Sequence, residues 1–291
     1  MGRHDRSVHG SSPTLRARRL ATELIRHREA AGLSREEAAR RLEWSPSTIF
    51  RIETGRSKPQ PRSVRELLTL YDVAGSERDG LIQLAREARE RGWWHSFRDV
   101  LPDPYEVYIG LEAGAASLHN FEPVTIPGLL QTADYARAVT KGGAQELGKE
   151  EIKRLVEVRL TRQNVLAKED RPRLWVVIDE AAVRRMVGGA QVMRAQLRHL
   201  VTVADEGKTT LQVVPFGAGA HAGTSGSFVI LGLPEPADAQ VVYVETLTGD
   251  FYLEERNDVS AYTIAFERLR ATALSPDDSI GLVKRAADDL V

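Results

Sequence analysis

The chain has 291 residues, enough for two domains, and is 42% hydrophobic and 28% charged, which excludes a broadly disordered polymer. It has no cysteine, so disulfides, thiolate zinc sites and cysteine nucleophiles are excluded together. The net charge of -1 hides an asymmetry: residues 1–70 carry 15 Lys and Arg against 8 Asp and Glu, a net of +7, and the remainder carries 25 against 33, a net of -8. A basic head on an acidic body suits a polyanionic partner for one part. Arginine richness is equally what a GC-rich genome produces. No secretory signal is visible, and the longest uncharged stretch, Thr209 to Pro234, is broken by Pro215, glycines and His221. The expectation is a soluble, cytoplasmic protein with no membrane span.

In chain order, residues 1–13 are polar and without periodicity, and read as a flexible arm. A first helix begins at Thr14, carries Leu20, Leu24 and Ile25 on one face, and stops at Gly32. Ser34 with Glu37 forms a capping box for the second, whose buried side is Ala38, Ala39 and Leu42. Ser45 and Pro46 open the third, with Ile49 and Ile52 inward and Gly55 as its stop. A fourth runs from about Ser63 to Tyr71 and a fifth from about Ser76 to Glu90. Residues 104–140 read as short helices broken by Pro123 and Pro127-Gly128. A long helix follows over 150–167, then an apolar strand Leu174–Ile178 and helices over 180–187 and 190–205. Strand-like runs lie at 210–214, 226–231, 241–245 and 250–253, before a final helix at 258–274. The expected fold class is α+β and multidomain: an all-α five-helix domain over 14–90, then a mixed α/β domain over 91–291 with a sheet framed by helices.

Leu33 to Gly55 has the form helix, short turn, helix, with small and apolar residues where two crossed helices must touch. The block Thr14–Tyr71 resembles the DNA-binding domain of phage-repressor-type regulators of the xenobiotic-response-element family. The matching residues are Arg28 through Ser34, Glu36-Glu37-Ala38-Ala39 and Ser47 through Gly55. Glu43 departs from the family, standing where the turn usually has glycine; either a left-handed glutamate costs on the order of 1 kcal/mol, or the turn adjusts. The resemblance implies that the recognition helix, 45–54, enters the major groove of double-stranded DNA by its N-terminal end, where Ser45, Pro46, Ser47 and Thr48 lie. Arg51, one turn further, is placed for a bidentate contact to guanine. Arg35 matches a position of backbone or base-edge contacts, and Arg56 and Lys58 follow in a loop suited to phosphates. Arg28 and Glu53 match a salt bridge internal to the family's domain. Phe50 reads as packing or a dimer contact, and Arg40 and Arg41 as a solvated face. Arg16, Arg18 and Arg19 suit a phosphate-binding arm or a solubilising first turn. Two heads reading half-sites about one helical turn apart imply a homodimer.

The rest of the chain is also similar to a family. Pro127 through Thr132, Tyr135-Ala136-Arg137-Ala138, Arg159, Arg162-Gln163, Asp179-Glu180, Gln196-Leu197, Val213-Val214-Pro215, Gly226 with Phe228, Tyr243-Val244-Glu245 and Ala273 through Pro276 match actinomycete regulators with an antitoxin-like C-terminal domain of unknown function, the WhiJ-like group. That resemblance implies transcription control and a small BldB-type protein partner, without a chemistry for the second domain. A phosphodiesterase-type site would need His-x-Lys, and His221 is followed by Ala222-Gly223. No nucleophile, base and orienting group assemble, so no catalytic residue, cofactor or metal site is expected. Two binding readings remain. The sheet, the His221 loop and Pro127–Tyr135 would enclose a small-molecule ligand, or Trp93, Trp94, Tyr243 and Phe251 would form a docking surface for the protein partner. Core packing is the plain alternative for those aromatics. Another is an antitoxin acting only by protein binding.

Overall fold

The computed structural model describes residues 12–143, 147–234 and 239–290; the expected N-terminal arm lies, as far as residue 11, outside the described residues. The chain divides into two compact units, Met1–His95 and Ser96–Val291. The division falls at 95/96, where the sequence reading puts it at 90/91. No helix among the described residues is long and apolar enough to cross a membrane.

Among the described residues the first unit has five α-helices: α1 (Pro13–Ala30), α2 (Arg35–Arg41), α3 (Pro46–Glu53), α4 (Pro61–Leu70) and α5 (Gly75–Ala88). Ser12, Ser34 and Ser45 cap the first three, each side chain accepting from a backbone N–H three residues on. Three of the turns that follow share one geometry. The residue after the C-cap takes a positive φ, and the next N–H reaches back into the helix: Leu33 to Arg28 O (3.1 Å), Trp44 to Ala39 O (2.8 Å), Val73 to Leu68 O (2.9 Å). Gly32 supplies that conformation freely, whereas Glu43 and Asp72 hold it at φ 57° against the steric cost of a Cβ. The apolar stripes meet in one core that includes Leu20, Leu24, Ala38, Ala39, Ile49, Ile52, Leu67 and Leu68, with Trp44 packed at its edge.

The second unit opens with α6 (Asp103–Glu112) and a six-stranded sheet of order β3-β2-β1-β4-β5-β6: β1 (Ser117–Glu122), β2 (Arg173–Asp179), β3 (Thr209–Val214), β4 (Phe228–Gly232), β5 (Gln240–Thr246) and β6 (Gly249–Leu253). β1, β2 and β3 are parallel, so helices carry the crossovers: α7 (Ala133–Gly143) and α8 (Lys149–Arg162), then α9 (Glu180–Arg184) and α10 (Ala190–Asp205). β4, β5 and β6 add antiparallel neighbours. α11 (Arg256–Thr272) packs Phe266 and Leu269 against Phe121, Val177, Phe228 and Val242 on one face. α12 (Pro276–Asp288) follows, tied to β3 by Ser279, whose hydroxyl accepts from Val213 N (2.9 Å).

Two elements depart from the sequence reading. β1 lies inside the stretch read as short helices, and α12 lies beyond the helix taken as final. Ser-Leu-His-Asn-Phe-Glu has no β-branched residue; it is a strand because it sits centrally, hydrogen-bonded to β2 and β4. α12 carries its own start signal, Ser275 as N-cap, Pro276 at the first position and Asp277-Asp278 in the first turn.

Candidate nucleic-acid interface

Serine at the N-cap and proline at the first position fix where α3 begins, and Ile49 and Ile52 bury one side of it. The opposite side is left outward: Ser45, Pro46, Ser47, Phe50 and Arg51 are exposed, with Thr48 half-buried. Ser45 Oγ lies 2.9 Å from Ser47 Oγ and 2.8 Å from Thr48 Oγ1, so three hydroxyls share hydrogen bonds at the helix tip. The ring of Phe50, 39% exposed, has the Arg35 guanidinium 5.7 Å and the Arg56 guanidinium 5.5 Å from its centroid. Behind α3, the backbone of the Lys58 loop is held by Arg89 Nη1, which donates to Lys58 O (2.8 Å).

Below this surface lies a buried carboxylate, Glu53, with its side chain 1% exposed. Arg28 Nε donates to its Oε1 (2.6 Å) and Arg35 Nε to its Oε2 (2.6 Å), while Arg28 Nη1 donates to Leu33 O (2.7 Å). Hydrogen bonding to Glu53 holds the Arg28 guanidinium above its ordinary pKa. One acid thus joins α1, α2 and α3. Arg35 belongs to this cluster as well as to the outer surface, a double position that the sequence does not display. Arg40 and Arg41 pair with Glu37 on α2, and Arg16 pairs with Glu87 (3.5 Å) on α5 and with Glu90 (2.8 Å) just past its end. Arg16 therefore clamps the first helix to the last.

Glu23, His27 and Glu77 bring ligand-type atoms within 4.8 Å of one another. Arg26 Nη2 already sits on both acids, 2.8 Å from Glu23 and 2.7 Å from Glu77, which makes the group an ion-pair cluster.

In the second unit the motif residues converge on the loop before α7. Gln131 Nε2 donates to Ile126 O (2.6 Å), Gln163 Nε2 to Gly128 O (3.1 Å) and Gln131 O (2.7 Å), and Gln196 Nε2 to Leu130 O (2.7 Å). Gln196 Oε1 accepts from Thr132 N (2.7 Å), and Arg159 Nη1 donates to Gln131 Oε1 (3.0 Å). A loop this deep leaves backbone groups that water does not reach, and three glutamine amides satisfy them. Arg162 forms a two-point pair with Glu112 (2.8 and 2.6 Å), both side chains under a tenth exposed, and its third nitrogen meets Tyr105 OH. Desolvation, with Glu245 nearby, pushes the Glu122 carboxyl at the end of β1 up to about 8.

His221 Nε2 lies 3.1 Å from Asp179 Oδ2, and its Nδ1 accepts from Gly223 N (3.2 Å). Nε2 therefore carries the proton and donates it to the acid. Asp179 also caps α9, and Glu180 Oε2 accepts from Phe216 N (2.9 Å). The loop Pro127–Thr132 borders a cavity of about 20 Å3, room for one water. Of the aromatics considered for docking, Trp94 and Tyr243 are buried, Trp93 is half-buried and Phe251 is 55% exposed.

Comparison with known proteins matches residues 105–285 to the family described as "Domain of unknown function (DUF5753)" and residues 19–81 to that described as "Helix-turn-helix domain". No curated protein and no solved structure matches.

Proposed function

The chain belongs to the DUF5753 family and carries an N-terminal helix-turn-helix domain; from that premise we propose that it is a sequence-specific transcription regulator of the xenobiotic-response-element type. It acts in the cytoplasm on nucleoid DNA, as a homodimer, with α3 in the major groove. The observation that carries this reading is the outward side of α3: three linked hydroxyls at its N-terminal tip, Arg51 one turn on, and Phe50 with the guanidinium groups of Arg35 and Arg56 at 5.7 and 5.5 Å from its ring centroid. Ser45, Pro46, Ser47, Thr48 and Arg51 read bases, while Arg35, Arg56 and Lys58 meet phosphates. In a selection from random duplexes, Arg51→Ala is expected to lose discrimination at one position, about 1–3 kcal/mol, and to keep its preference elsewhere. A variant that selects the same site with the same stringency contradicts the base-reading role.

The second domain is proposed to control the head by binding and not by catalysis, since both ring nitrogens of His221 are committed to hydrogen bonds. Its ligand is a small molecule: one end of the sheet carries an open groove of about 840 Å3, within the size range of small-molecule sites. A small protein partner is the second reading, favoured by Phe251 on edge strand β6 and fully exposed Leu247 at the β5–β6 turn. Copurification with a small polypeptide that is lost in Phe251→Ser would establish it in place of the first.

A further inference from the structure

The groove lies at the end of the sheet where β1, β2 and β3 begin. Strand alternation and register decide what lines it. Trp175 pairs with His119 and Thr210 to form an inner row. Two residues earlier on β2, Arg173 pairs with Ser117, which pairs with Gly232, which pairs with Gln240, to form an outer row on the same face. Gly232 leaves that row low: a Cβ there would stand 2.3 Å from Ser117 Oγ. α11 closes the inner side, with Phe266 stacked on His119 at 4.9 Å and the Arg270 guanidinium 3.5 Å from the Trp175 ring.

Among the described residues the charge of the lining is one-sided: Arg171, Arg173, Lys208 and Arg270 border the groove against a single acid, Glu169. Lys208 is paired with Glu206 and Arg270 with Glu267, whereas Arg171 and Arg173 are exposed and have no carboxylate partner among the described residues. Thr209, 8% exposed, also borders the groove, and its Oγ1 has no hydrogen-bond partner among the described residues. Burial, and then Arg270, lower the His119 pKa, so this ring is neutral at pH 7 and offers hydrogen bonds without charge.

We propose that this groove binds a small organic anion, its carboxylate or phosphate held by the guanidinium forks of Arg171 and Arg173 and its body resting on Trp175 and His119. The inference rests on reading the second domain as a small-molecule-binding domain and names the class of ligand. The test is calorimetric titration of the full chain with AMP, benzoate and citrate at constant ionic strength, in parallel with DNA affinity. At least one probe is expected to saturate one site per chain, with AMP against benzoate and citrate separating phosphate from carboxylate recognition. The double variant Arg171→Gln/Arg173→Gln weakens that binding about tenfold or more, and Arg198→Gln, an exposed arginine on α10, leaves it unchanged. Thermal melts establish that the variants are folded. No saturation by any probe into the millimolar range, or equal binding by the double variant, overturns the proposal. So does weaker DNA binding by the double variant without a probe, which would make the arginines nucleic-acid contacts. Saturable, arginine-dependent binding that leaves DNA affinity unchanged sustains the groove and overturns the controlling role of the domain.

Discussion

Glu53 shows how one side chain serves both fold and site. Its carboxylate is buried, takes hydrogen bonds from Arg28 and Arg35, and joins three helices behind the outward side of α3. Removing the acid strands two guanidinium groups, one of them buried, so Glu53→Ala is expected to cost about 3–5 kcal/mol. Denaturant melts of the parent and variant check this, and a change below about 1 kcal/mol would mean that the cluster relaxes freely. The pairing of Arg28 with Glu53 is legible in the sequence through family resemblance alone; that Arg35 joins it is not, because 18 residues separate Arg35 from Glu53 and only the crossing of α2 and α3 unites them. Glu122 makes a prediction of the opposite kind. Its carboxyl titrates near 8 in the fold against an ordinary 4.5. Between those values the folded chain keeps a proton that the unfolded chain has released, so unfolding sheds protons and stability falls as pH rises through the window. Glu122→Gln, which mimics the protonated acid, is expected to flatten this decline in melting temperature between pH 5 and 8; an unchanged pH profile would contradict the assignment.

At the scale of elements, the head was readable because its signals are local. Serine caps, Pro46 and a 3.6-residue apolar period each specify a helix without help from distant chain, and the observed ends differ by a residue or two. The turn after α2 was also readable, but its residues leave open whether Glu43 turns left-handed or the turn adjusts, and the structure decides for the first, at φ 57°. The second unit was legible wherever a strand is β-branched, as in Val176-Val177-Ile178, and illegible at β1, whose strand character comes from its neighbours. The loop Pro127–Thr132 could be recognised as a motif but not explained. Its partners, Gln163 and Gln196, lie 32 or more residues away, and their role as amide donors to a buried loop follows from the fold. The groove was invisible for the same reason, since register across five strands sets its rows.

For the whole molecule, the division of charge has the larger consequence. Divided at the boundary between the two units, residues 1–95 carry 19 Lys and Arg against 13 Asp and Glu, a net of +6, and residues 96–291 carry 21 against 28, a net of -7. Part of the positive charge is consumed internally, with Arg16, Arg28, Arg40 and Arg41 paired to acids, and the exposed cations include Arg51 and Arg56 around α3. An acidic body repels DNA that approaches it, which favours approach by the head. The groove adds a basic patch to that acidic body, and a small anion bound there alters the local field without requiring a partner chain.

The most direct measurement of the central claim is the salt dependence of binding to the selected duplex and to a scrambled one of equal length. Log affinity is expected to fall linearly with log salt on both, since each phosphate contact releases counterions, and the selected duplex to stay about a thousandfold or more the tighter. A flat salt response, or equal affinity for the two duplexes, would contradict the assignment of the head as a sequence-reading DNA-binding domain.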